Sequence, residues 1–366
     1  MSAVFDTVEE FWNWDDIQIA AQRANKNSAQ HFKLALADYL GVHNQTTIEL
    51  VPSARFGLEK LLQDQLGERR SVLVPCFNCS VVQESILAAG GITQLYDFSP
   101  SPGLFNWKKV IQQADSNTGA IIVTHYFGVP IDLRPIIEYC RTNEILLIED
   151  CAHTLGGKIG SVIAGTLGDV ALFSFNHDKP MSLAWGGAIL VNNATYSKNN
   201  WTEKISVPSV DQELTMLNDF CRAMTARRTA IPKQFRLSEK IFRKLGLRPS
   251  STFDIKPDMG MGQVQAELGI QCLSRYDAIL SSRKKNAERL ATNCPGRTWP
   301  VGADITPAWL KQKVRFSSIA TLTSQAKQLQ NQGLRAGNFN WPALLGGGEP
   351  PYFENSLDVA ELWMDI

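Results

Sequence analysis

Between Ile145 and Val191 the chain reads ILLIEDCAHTLGGKIGSVIAGTLGDVALFSFNHDKPMSLAWGGAILV, and no other stretch constrains the fold as tightly. Two apolar runs, Ile145–Ile148 and Val170–Phe175, each end in polar residues. Continuous apolar runs of that length suit strands buried on both faces. The first run delivers Glu149, Asp150 and His153; the second delivers Ser174, Asn176, His177, Asp178 and Lys179. Open α/β sheets hold ligands at the carboxyl ends of their strands. An acid, an imidazole, a hydroxyl and an amine are therefore offered to one crevice.

The sequence before this stretch alternates in the same way. FKLALADYL (32–40) has apolar residues at helical spacing, with Gly41 as its stop. TTIELV predicts a strand ending near Val51, and Ser53 the N-cap of a helix running to about Leu66. A strand whose small and polar successors open a helix presents several unpartnered backbone N–H groups, which can cradle a phosphate. Most such units hold no anion, so the pattern needs support from elsewhere. SVLVP, ITQLYDF and AIIVTHYFG read as further strands; CFNCSVVQESILAAGG, WKKVIQQAD and IDLRPIIEYCRTN read as helical segments. This alternation predicts an α/β fold, a mostly parallel sheet wrapped by helices.

After Asn193 the character changes. Residues 194–257 read as a basic helical linker region, with Arg222, Arg227, Arg228, Lys233, Arg236, Lys240, Arg243, Lys244 and Arg248 opposed only by Glu239. Such a cluster is ordinarily a solvated face; the sharper alternatives are a nucleotide diphosphate or peripheral contact with an anionic membrane through Arg222–Arg248. QVQAELGIQCLSRYDAIL, from Gly262 onward, reads as one amphipathic helix, followed by a smaller α/β unit with VRFSSIA as strand and SQAKQLQNQGL as helix. The predicted division is a large domain over 1–257 and a small carboxyl-terminal domain over 258–366.

At 366 residues and 44% hydrophobic content the chain can bury two such cores. Lys plus Arg and Asp plus Glu both number 36, so charge does not point to a nucleic-acid partner. Seven scattered cysteines, and an acidic start (MSAVFDTVEEFWNWDD) without an apolar h-region, lead us to expect reduced thiols in a cytoplasmic protein. Cys76 and Cys79 have C-x-x-C spacing but no comparably spaced partner ligands, so a metal is not expected there.

Singly, each crevice residue has an ordinary explanation: an Asp after a strand caps helices, a His fills cores, a Lys points to water. Together they suit a planar cationic ring. A buried carboxylate requires a positive partner, which a protonated pyridine nitrogen supplies. A deprotonated lysine amine attacks carbonyls. Segments in matching order resemble the DegT/StrS family of pyridoxal-phosphate-dependent sugar aminotransferases. FKLALADYLGV resembles its opening helix, PSARFGL its phosphate turn, VLVPCFNCSVV its VPSFTF-like loop and THYFGVPIDL its HLYGxPADM-like segment. EDCAHTLGG resembles EDAAHxxGA, GDVALFSFNHDKP resembles GDxxxFSFxxxK with the Ser-to-Lys spacing kept, and QVQAELGIQCL resembles ELQAALGLAQL. Agreement runs from about Phe32 to Pro342.

The resemblance implies a fold type I large domain, a small carboxyl-terminal domain, and a homodimer with sites at its interface. It implies that Lys179 carries pyridoxal 5'-phosphate through an imine and moves protons, that Asp150 pairs with the pyridine nitrogen, and that His153 lies near the phenolic oxygen. Ser174, with the turn at Ser53, Ala54 and Arg55, would hold the phosphate, and Cys79 stands where a ring-stacking aromatic is usual. The implied reaction converts a keto sugar, nucleotide-activated, to an amino sugar with glutamate as donor, in surface-polysaccharide or secondary-metabolite synthesis. Two alternatives accompany it. One is a sugar dehydratase using the same cofactor, although such relatives usually lack the lysine. The other is a non-catalytic regulatory or partner protein. The second is motivated by Cys79, by Asp258-Met259-Gly260-Met261 where the family has Asn-Tyr-Arg-Met, and by the ending AELWMDI. Separately, the phosphate turn carries Ala54 and Arg55 in place of Gly and Thr, an Arg that would strengthen phosphate binding or reach the substrate.

Overall fold

Alternate residues of the central strands pack into different cores. Ile121, Val123 and Leu147 join one apolar cluster, while Ala120, Ile122, Leu146 and Ile148 join another. That is the period-two consequence of a strand covered on both faces. Each such Ile, Val or Leu side chain contributes about 1.5–3 kcal/mol by leaving water. The computed structural model describes residues 12–42, 46–97, 99, 104–196, 201, 205–228, 258–293, 297–311, 313–315, 324 and 363–365.

Two helices, α1 (Trp14–Arg23) and α2 (Ser28–Leu40), lead into β1 (Thr47–Val51). Alternation follows: α3 (Ala54–Gln65), β2 (Ser71–Pro75), α4 (Ser80–Ala88), β3 (Ile92–Tyr96), α5 (Trp107–Gln113), β4 (Thr118–Thr124), α6 (Arg134–Thr142) and β5 (Leu146–Asp150). A short ribbon, β6 (Lys158–Ile159) with β7 (Val162–Ile163), precedes β8 (Val170–Ser174), β9 (Gly187–Val191) and α7 (Val210–Arg228). Next come α8 (Gln263–Ser274), α9 (Tyr276–Asn293), β10 (Arg297–Thr298), β11 (Ile305–Thr306), β12 (Lys313–Arg315) and β13 (Trp363–Asp365).

The main sheet has the order β1-β9-β8-β5-β4-β2-β3. From β3 through β8 every pairing is parallel, whereas β9 runs antiparallel to both of its neighbours. The expected mostly parallel sheet is therefore present. Because β9 reverses twice, β1 runs in the same sense as β8, and the carboxyl ends of β1, β2, β4, β5 and β8 share one edge. Strands β10, β12 and β13 form a separate antiparallel sheet, and β11 pairs with β6.

Two predicted elements need correction. AIIVTHYFG stops being a strand at Thr124, because Val129 N–H returns to the Tyr126 carbonyl and Phe127 takes a φ of 56°. QVQAELGIQCLSRYDAIL is two helices rather than one. The chain breaks at Arg275, whose guanidinium is held by Asp16 of α1 through two 3.0 Å bonds. The helix α1, opened by an Asn13 capping box, was not anticipated. Of VRFSSIA only Val314 and Arg315 lie in described strand, within Lys313–Arg315, and SQAKQLQNQGL lies outside the described residues apart from position 324. So does the basic cluster beyond Arg228. Among the described residues no helix is long and apolar enough to cross a membrane, and all six described cysteines are free.

Candidate active site

At the shared sheet edge lies a cavity of about 590 Å³. Its walls include Ser53, Ala54, Arg55, Cys79, Asp150, His153, Ser174 and Lys179, so every cofactor-site residue expected from sequence reaches one space. Strand register explains the grouping. Asp150 is the last residue of β5 and pairs with Thr124, the last of β4; Ser174 ends β8. Val51 ends β1 at the same edge, and the chain turns there through Pro52 and Ser53 into α3.

Lys179 Nζ lies 3.2 Å from His153 Nε2 and 3.8 Å from Asp178 Oδ1. An ammonium only donates, so beside a charged Lys179 the imidazole accepts at Nε2 and carries its proton on Nδ1. Phe127 packs against His153, ring centroids 6.0 Å apart. The loop after Lys179 is tied down from several sides. Gln265 Nε2 donates to the Leu183 and Trp185 carbonyls, Arg283 donates to the Pro180 carbonyl, and Trp12 donates to the Ser182 carbonyl. The amine is thus aimed by α8, α9 and the segment before α1.

The two acids ending β5 have different tasks, as the pleat requires. Glu149 is fully buried and points away from the cavity residues: it faces His125 at 3.0 Å and accepts N–H bonds from Gly165, Leu167 and Gly168. Burial alone would raise its pKa, but His125 and the backbone donors outweigh burial and hold the carboxyl below its ordinary value. It locks the turn before β8. The sequence placed Glu149 with the crevice groups; the structure assigns it to the frame.

Asp150 faces the cavity. One oxygen accepts the Ala152 N–H at 3.0 Å, and the other lies 3.5 Å from Thr124 Oγ1. Burial pushes this carboxyl above its ordinary value, against the pull of the Ala152 N–H, Lys179, His125 and the Thr124 hydroxyl. A buried acid whose few donors do not offset burial is suited to a further cationic partner.

Opposite, Ser53 caps α3 by accepting the Phe56 N–H at 3.1 Å. The N–H groups of Ala54 and Arg55 then point from the helix start without intrahelical acceptors. Gly187 permits this approach: a Cβ there would meet the Phe173 carbonyl at 2.6 Å and the Ala54 nitrogen at 2.8 Å. Arg55 forms a half-exposed pair with Glu84 at 3.6 Å. Cys79 is the N-cap residue of α4 and lines the wall.

Sequence reasoning missed Asn78 and Thr124, both buried in this wall. Thr124 was detectable in principle, as a polar residue ending a strand beside Asp150. Asn78 left no such signal, because only the folded loop brings it there.

A model of the DegT/DnrJ/EryC1/StrS aminotransferase family matches residues 10–341. The chain belongs to this family. GDP-perosamine synthase of Caulobacter vibrioides is 30% identical over 168 residues, covering 44% of this chain and 43% of that protein. The chain thus matches less than half the length of such curated relatives. The aminotransferase TlmJ of Streptoalloteichus hindustanus shares the fold, with a TM-score of 0.70 and 20% identity over 96% of this chain and 89% of TlmJ. A Streptococcus pneumoniae chain solved in a PLP form also has a TM-score of 0.70, with 17% identity over 96% of this chain and 90% of that one. These likenesses place this DegT/DnrJ/EryC1/StrS member in the fold expected from its sequence.

Proposed function

We propose that this chain is a pyridoxal-phosphate-dependent aminotransferase that converts a nucleotide-activated keto sugar to an amino sugar, with glutamate as donor. The observation that carries the reading is the meeting of Lys179, Asp150 and the start of α3 on one cavity. The donor set suits the cofactor group by group. It offers an amine for an aldehyde, a buried carboxylate for a ring nitrogen, and a helix N-terminus with the Ser53 turn and the Ser174 hydroxyl for a phosphate dianion. A volume of about 590 Å³ leaves room for substrate as well. The names of curated relatives, GDP-perosamine synthase and UDP-4-amino-4,6-dideoxy-N-acetyl-beta-L-altrosamine transaminase, support the nucleotide-sugar class.

When bound, pyridoxal phosphate supplies an electron sink. The chain does the rest. Lys179 Nζ would hold the cofactor, and its amine is the base placed to move the substrate's carbon-bound proton. His153 keeps that amine in place. Asp150 would hold a positive charge at the ring nitrogen, and α3 with Ser174 would anchor the phosphate. A second copy of the chain would close the cavity's open side, as the family resemblance implies.

The test is a panel of nucleotide keto sugars incubated with holoprotein and ¹⁵N-glutamate. A product that gains the heavy nitrogen supports the proposal. Loss of water without nitrogen would indicate the dehydratase, and no turnover by a cofactor-loaded dimer would favour the non-catalytic role.

A further inference from the structure

Behind Asp150 stands a file of buried polar side chains that the chemistry above does not use. Asn78, Thr124 and Asp150 are 1%, 2% and 8% exposed. Asn78 Oδ1 accepts the Cys79 backbone N–H at 2.8 Å, and Asn78 Nδ2 lies 2.9 Å from Thr124 Oγ1. Thr124 Oγ1 lies 3.5 Å from Asp150 Oδ2.

The backbone N–H fixes the direction of every later link. It can only donate, so the Asn78 atom facing it is the carbonyl oxygen; the flipped amide would set donor against donor. The Asn78 NH2 group therefore donates to the Thr124 oxygen and occupies a lone pair there. The Thr124 hydrogen is left to point elsewhere, and two acceptors are near: the Tyr126 hydroxyl oxygen and the Asp150 carboxylate. Tyr126 already donates its own proton to the Phe77 carbonyl at 2.7 Å. An ionised carboxylate is the stronger acceptor.

We propose that Asn78 and Thr124 are positioning residues for Asp150: the amide, anchored on the Cys79 N–H, turns the Thr124 hydroxyl to donate to Oδ2, keeping that carboxylate charged and aimed into the cavity. This rests on the cofactor reading above. The remaining groups acting on Asp150 are Lys179, His125 and the Ala152 N–H, with Tyr126 and Cys151 adjacent. Of these the Ala152 N–H is hydrogen-bonded to the carboxylate, and it takes Oδ1, not Oδ2.

The experiment compares wild type, Thr124→Val, Thr124→Ser, Asn78→Ala and the Asn78→Ala/Thr124→Val double variant. Three quantities are read: the dissociation constant for pyridoxal phosphate, the pH midpoint of the bound cofactor's visible band, and Tm. Thr124→Val keeps the side chain's shape and loses one hydrogen bond to a charged group, so cofactor affinity falls about tenfold. A carboxylate without this donor is more basic and takes a larger share of the ring nitrogen's proton, so the midpoint moves up. Thr124→Ser restores both. Asn78→Ala gives a smaller loss in the wild-type background and no further loss on top of Thr124→Val, because its effect passes through Thr124. It reaches the file from its far end, so it still tests the proposal if Thr124→Val does not fold. Unchanged affinity and midpoint in Thr124→Val, or additive losses in the double variant, would overturn the proposal. Wild type that binds no cofactor would overturn the cofactor reading itself, a separate outcome.

Discussion

At the scale of single residues, the site works by contrast between neighbours. Glu149 and Asp150 are adjacent acids, and the pleat sends one into a closed net of donors and the other into the cavity. Replacing Asp150 by Asn keeps the shape and removes the charge proposed to face the ring nitrogen. Turnover should fall on the order of 10²–10³-fold, with Tm held or raised, measured by steady-state kinetics and calorimetry. Ser174→Ala should weaken cofactor binding roughly tenfold by deleting one bond to a phosphate oxygen, read by titrating apo-protein. Most of the site was legible in the sequence, because Asp150, Ser174 and Lys179 follow apolar runs and only strand ends place such groups together. Glu149 was misassigned to the crevice because two acids after a run look alike until the pleat is known. Asn78 was invisible, since a loop residue has no periodicity to read.

At the scale of elements, the start of α8 shows how one buried acid joins distant pieces of chain. Gly262 is its N-cap residue and offers no side chain; Glu213 of α7 stands in, accepting the Val264 and Gln265 N–H groups at 2.9 and 2.6 Å. A Cβ at Gly262 would sit 2.4 Å from the Glu213 carboxylate, so Gly262→Ala should lower stability by roughly 1–3 kcal/mol, seen as a drop in Tm. Burial pushes the Glu213 carboxyl up to about 7, against the pull of those N–H donors. Because the folded value lies above the ordinary 4.5, its contribution to stability is fully present below about 4.5 and is lost as pH rises through about 7. Relative to Glu213→Gln, wild type should therefore lose up to roughly 3 kcal/mol between pH 5 and 8, measured by urea unfolding at each pH. The α/β alternation through β5 was readable from apolar runs and turn residues. The break at Arg275 was not, because a salt bridge to Asp16, 259 residues away in sequence, coincides with the helix end.

At the scale of the whole molecule, the sheet order matters more than any single motif. The double reversal at β9 returns β1 to the edge where β4, β5 and β8 end, and this brings the Ser53 turn within reach of Lys179. That closure could not be read from local sequence, since strand order is a property of the assembled sheet. The α8 and α9 helices, from the proposed carboxyl-terminal domain, grip the loop after Lys179, so shortening the chain before Gln265 should cost cofactor binding as well as stability. The most direct test of the central claim is borohydride reduction of cofactor-loaded protein followed by peptide mass mapping. The account predicts one phosphopyridoxyl group, on Lys179, absent from Lys179→Ala. A stable label on a different lysine, or none on a protein that binds pyridoxal phosphate, would contradict it.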